Sequence, residues 1–298
     1  MPRMRGAIAS PRHRLSATRP HRISGDTPKQ FSVIPTTLSY WGNQNFGCCV
    51  SSEEAFAKAA ASVMIERPEV FVGEQEVISW ARKHGYLNGA DLTSVMDTMA
   101  TNGMTATDNV TYEDGPYDAV DWTDDAVLSN AIFQGPVKIG VAAGQLENVV
   151  GSSNGWILTG ADTDQNIDHC VSLCGFGPLS YLAQACGVSL PSDVDGTARG
   201  YLLFTWDTVG VIDQASLIAI CGEAWLRNPT TVIVGPNPPI PPVPPTPPVP
   251  PTPPTPPTPK PPTWRGLAIQ NRLAEMYAAG RESEVLAIIA SLEKSLNL

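Results

Sequence analysis

The first chemically suggestive feature of this chain is a thiol placed where a helix begins. Residues 41–50 read WGNQNFGCCV, and an Ala-rich, helix-like run follows from Val50 to Ile65. Cys49 would then feel the positive end of a helix macrodipole, which favours thiolate. Asn43 and Gln44 lie just upstream, and an amide folded back can donate to a developing oxyanion. Gly47 lets backbone approach closely. Cys48 is the alternative nucleophile, or a neighbour that modulates oxidation of Cys49. The plain reading of a free cysteine, a small buried hydrophobe, stands beside these. Of the four histidines, His13 and His21 lie in a basic N-terminal stretch and His84 adjoins Lys83 at the polar end of a helical pattern. His169 instead opens the apolar run His169–Phe176 within DHCVSLCGFG. An imidazole at a strand start can meet a helix-N-terminal thiol in space, and the pair is expected to stay ionised across neutral pH. That is acyl-transfer chemistry on a peptide or isopeptide bond, or amidase or transglutaminase-type transfer to another acceptor. A metal site from His169, Cys170 and Cys174 competes, but the six cysteines match no paired C-x₂-C zinc spacing. No metal and no cofactor is expected.

The elements that would position these groups come in two sets. Further helical patterns cover Glu74–His84, which Gly85 can stop, and Leu92–Thr101 with Asp91 as N-cap. Strand-like runs come later, at Val137–Ala142, His169–Phe176 and Tyr201–Trp206. Helices first and strands afterwards argue for α+β.

Four motifs in order resemble the papain-like cysteine peptidases. Gly47-Cys48-Cys49-Val50 before a helix is similar to the family's Gly-Ser-Cys box. Gln134-Gly135-Pro136-Val137 resembles its Gly-Pro-Val strand, and Asp168-His169-Cys170-Val171 with Gly175-Phe176-Gly177 its His motif. The run from Tyr201 to Trp206 resembles its last motif strand. The string from Gly42 to Cys49, with Thr205-Trp206 later, is more similar still to a divergent papain-like group of phage and bacterial genomes. The resemblance covers residues 38–206. It implies an N-terminal helical subdomain with the nucleophile Cys49 at a helix start, and a C-terminal antiparallel β subdomain carrying the base His169. Gln44 or Asn43 would be the oxyanion donor. The family's His-orienting Asn falls on Phe204, which accepts no hydrogen bond, so Thr205, Asp207 or a backbone carbonyl is expected to substitute, or the pair to run as a dyad. The implied partner is a peptide or protein substrate. A catalytically weak papain-like binding or assembly module, virion-borne in the phage-like setting, is the alternative.

Charge divides the chain. Residues 1–30 hold seven Lys and Arg against Asp26, whereas residues 31–234 hold seven basic and 24 acidic residues. An acidic body argues against nucleic acid as partner. Residues 1–30 read as a disordered basic leader, short for an inhibitory prodomain, and removing it would raise activity if it did inhibit. They lack the apolar core of a signal peptide, so a cytoplasmic or virion-associated location is expected. No apolar run reaches the 18 or so residues a membrane span needs. Residues 31–234 read as the peptidase domain. Residues 235–263 form a proline-rich linker of polyproline II character. Residues 264–298 form a helical hairpin too small to bury its own apolar face, expected to pack on a protein partner, another copy or the main domain.

Overall fold

The computed structural model describes residues 3–151 and 155–228, and residues 231–234 as backbone. The proline-rich linker and the helical tail read from the sequence lie outside the described residues.

The first half is helical. The helix Cys49–Met64 contains neither Pro nor Gly, and its residues are buried on nearly every side from Cys49 to Ala60. Such a helix belongs in a core, so Glu53, Glu54 and Lys58 are carried inside with it and need partners. The helix Glu74–His84 ends where Gly85 turns left-handed at φ 81°. The helix Leu92–Asn102 starts at Asp91, whose carboxylate accepts from the Ser94 N–H at 2.9 Å.

The second half supplies a sheet. Among the described residues eight strands join it. Its main path runs Tyr117–Ala119, Cys221–Arg227, Val137–Val141, His169–Pro178, Arg199–Thr205, Thr208–Asp213 and Ile157–Leu158, with Phe31–Ser32 added to His169–Pro178. Pairing is antiparallel except between Thr208–Asp213 and Ile157–Leu158. Side-chain alternation splits the interior into two cores. Leu202 and Phe204 join the core that holds Phe56 and Cys49, whereas Tyr201 and Leu203 join the core of Leu128, Ile132 and Ile139. The result is the expected α+β arrangement, with helices on the N-terminal side and an antiparallel sheet after them. No helix among the described residues is long and apolar enough to cross a membrane.

The leader is not disordered. Residues 3–30 contain the strand Ala7–Ile8, parallel to Ala90–Asp91, and the helix Arg12–Ala17. The reason is charge complementarity. Arg5 meets Glu147 and Asp168, Arg14 meets Asp97, and Arg19 meets Asp118, so the basic leader is laid onto the acidic body.

Candidate active site

Cys49 is the first residue of its helix and His169 the first of its strand. The helix packs on that strand, and the Cys49 sulfur lies against the backbone N–H of Cys170, the residue after His169. The His169 Nε2 sits 2.8 Å from the Thr205 hydroxyl, and Trp206 stacks on the ring at 4.6 Å between centroids. Nδ1 has no partner. With the proton on Nε2 donated to Thr205, Nδ1 keeps its lone pair and is the basic atom; the other tautomer would bury an Nδ1–H without an acceptor.

Of the two side chains expected to orient the histidine, Thr205 is the one in contact with its ring, and it is fully buried. Asp207 is exposed and faces Tyr40. Phe204 stacks on Phe56 at 4.1 Å, nearly parallel, and is spent on packing the helix Cys49–Met64 against the sheet. The two amides are engaged in their own loop. Asn43 Nδ2 donates to the Phe46 carbonyl at 2.9 Å, and Gln44 Nε2 donates to Glu74 at 2.6 Å. The Cys49 backbone N–H, at the first turn of its helix, belongs to the set a helix leaves unpaired. The Cys48 thiol turns away toward the Trp41 carbonyl at 3.8 Å and Ser52 at 3.6 Å. His169, Cys170 and Cys174 do not converge as a metal-binding group among the described residues.

Two features escaped sequence reasoning. The first is Lys138, fully buried, which reaches the Val50 carbonyl at 2.9 Å and the carboxylates of Glu53 at 3.0 Å and Glu54 at 2.7 Å. It ties the first turn of the helix Cys49–Met64 to the sheet. An isolated lysine in an apolar strand pattern was the available signal. The second is the strap formed by residues 3–8. Gly6 and Ala7 donate to the Asp168 carbonyl at 3.0 and 3.1 Å, Ala90 donates to the Gly6 carbonyl at 2.9 Å, and the Gly6 N–H is near enough to the Cys49 thiol to favour its ionised form. Met4 donates to the Asn43 carbonyl at 3.1 Å and accepts from the Trp206 indole at 3.2 Å.

Under this cover Cys49 and His169 are almost wholly buried. Burial pushes the thiol up to about 12, against the opposing pull of the Cys170 and Gly6 N–H groups. Burial also pushes the imidazole down to about 3, with the Arg5 charge adding to the effect. The expected thiolate–imidazolium pair is therefore a neutral thiol and imidazole in this covered state, because desolvation penalises both ions.

No protein-family model matches the chain, and no curated protein matches its sequence. Solved structures do. The chain is similar to digestive procathepsin L 3 of the Tenebrio molitor larval midgut, with a TM-score of 0.53 at 15% identity over 70% of this chain and 73% of that one. It is similar to xylellain, a cysteine protease from Xylella fastidiosa, with 0.53 at 12% identity over 76% and 97%. A recombinant stem bromelain precursor gives 0.51 at 13% over 76% and 77%. At these identities the likeness is one of fold, and the fold is papain-like.

Proposed function

We propose that the chain hydrolyses peptide or isopeptide bonds with Cys49 as nucleophile and His169 as base. The observation that carries this is the seat of residues 3–8. An extended peptide is hydrogen-bonded on both edges beside a helix-N-terminal thiol, and His169, which opens the strand packed on that helix, has its Nδ1 unpartnered. The Cys49 sulfur adds to the carbonyl carbon and its proton passes to His169. His169 then protonates the leaving amine as the C–N bond breaks, giving a thioester. Water adds to the thioester with His169 as base, releasing the acid and restoring the thiol. The Cys49 N–H is the nearest oxyanion donor, and Gln44 or Asn43 joins it once its amide leaves its loop partner. Thr205 holds the ring.

The sealed, neutral site favours one second reading, a papain-like module kept for binding. The test is cleavage of a mixed peptide pool, read by mass spectrometry, using the full chain with Arg5→Glu to loosen the strap. Cleavage lost equally in Cys49→Ala, His169→Ala and the double variant is the expected result, since the two groups act as a unit. Turnover that survives Cys49→Ala overturns the mechanism. An unreactive Cys49 in the loosened chain leaves the binding module.

A further inference from the structure

We infer that the cleft over Cys49 selects basic peptides, with a glycine at the nucleophile and an arginine beside it. As a statement of substrate class this rests on the hydrolase reading above. Its evidence is the way the chain's own residues fill the cleft.

The channel over the thiol is one bare backbone wide. A Cβ on Gly6 would stand 1.9 Å from the Gly47 carbonyl oxygen and 2.5 Å from its carbon. Both are backbone atoms and cannot swing aside. The channel's walls are themselves pared to glycine. A Cβ on Gly47 would meet the Arg5 carbonyl at 2.8 Å, and one on Gly89 the Gly6 carbonyl at 2.9 Å. Any peptide crossing at the depth of Gly6 therefore meets a steric filter for glycine. The hydrogen bonds from Ala90 and to Asp168 hold its backbone and are indifferent to sequence.

The next position is read by charge. The Arg5 guanidinium forks onto Glu147 at 3.0 and 2.5 Å and reaches the Asp168 carboxylate at 2.5 Å. Asp168 is itself held by the Ala143 N–H at 2.9 Å. Two carboxylates set around one planar cation favour arginine over lysine. Two places further, the Arg3 guanidinium lies 5.3 Å above the Trp206 ring and donates to the carbonyls of Glu147 at 3.3 Å, Val150 at 2.5 Å and Gly151 at 3.4 Å. These subsites are built by the body of the protein and stay in place when the strap leaves. A substrate running in the opposite direction reaches the same two subsites as Gly-Arg instead of Arg-Gly.

The experiment uses the full chain with its strap displaced, by Gly6→Leu in one variant and Arg5→Glu in another, so that a folding failure of one leaves the other. Each also carries Cys49→Ala for binding. Fluorescently labelled PRMRGAIAS is the probe, with versions carrying Gly6→Ala, Arg5→Ala and Arg5→Lys, and one with the Arg5-Gly6 order reversed. Binding by anisotropy is expected to fall about tenfold or more for Arg5→Ala, the size of losing a charged hydrogen-bond pair, and by at least as much for Gly6→Ala, whose Cβ meets fixed backbone. Glu147→Gln in the protein is expected to remove most of the arginine effect. Cleavage is then followed with Cys49 restored. Equal affinity for all the peptides overturns the subsites. Selective binding without cleavage of any peptide keeps the subsites and sinks the hydrolase reading. Cleavage of unrelated peptides with no preference for glycine or arginine does the reverse.

Discussion

On the proposed mechanism the Thr205 hydroxyl orients His169. It lies 2.8 Å from Nε2, and Nδ1, which has no partner, would accept the thiol proton. Thr205→Val keeps the shape and removes the hydrogen bond. It is expected to lower kcat about 10- to 100-fold, with KM little changed, while Thr205→Ser restores most of the rate. The measurement is peptide turnover in the Arg5→Glu background across pH. If Val and Ser behave alike, the hydroxyl has no part in orienting the ring. The sequence pointed to Thr205 and Asp207 together, since both flank the motif tryptophan. Choosing between them needed the strand's alternation, which turns Thr205 to the side of Tyr201 and Leu203 and leaves Asp207 beyond the strand end.

At the scale of elements, the helix Cys49–Met64 and the strands around it are held by a buried ionic cluster. Glu53, Glu54 and Asp114 face Lys58, Lys138 and Arg227, three charges of each sign with every side chain almost inaccessible. The three cations hold the Glu54 carboxyl well below its usual range against the penalty of burial. Burial instead lifts Asp114 to about 6, because Glu54 stands beside it. Removing one member leaves its opposite charges buried and short of partners. Lys138→Met is expected to cost about 3–5 kcal/mol in urea unfolding. A loss under about 1 kcal/mol would mean that Arg227 alone satisfies both glutamates. The helix itself was legible from its Ala-rich run, and so were Glu74–His84 with its Gly85 stop and Leu92–Asn102 with its Asp91 cap, because those signals are local. The cluster was not legible. Lys138 and Glu53 are 85 positions apart, and each looks like an ordinary surface charge until the fold encloses it. The strap was hidden for the same reason, since Arg5 finds partners 142 and 163 positions away.

For the whole molecule, the question is when the strap seals the site. Two titratable groups beneath it, His169 and Cys49, link the seal to pH. Sealed, His169 titrates near 3 instead of its ordinary 6.5, so below 6.5 the open state binds the extra proton. The seal is therefore at full strength above about 6.5 and weakens as pH falls toward 3. Cys49 works in the opposite sense. Its thiol is raised from 9.0 to about 12, so the seal holds below 9 and weakens as pH climbs through that interval. Both shifts place the tightest seal between about 6.5 and 9. Arg5 enters twice, as the strap's anchor on Glu147 and Asp168 and as a like charge to any imidazolium formed below it. Acid therefore favours opening by protonating a ring that a fixed cation already disfavours as an ion. One unit below 6.5 the open population is expected to rise about tenfold. Hydrogen exchange of the Gly6 and Ala7 amides, both bonded to the Asp168 carbonyl, reports it directly. After correction for intrinsic rates, their protection is expected to drop about tenfold from pH 8 to pH 5.5, and to drop little in His169→Ala. Protection that stays flat across that range in the wild-type chain would mean that His169 does not gate the strap. The seal would then rest on the arginine ion pairs alone, which added salt, rather than acid, would loosen.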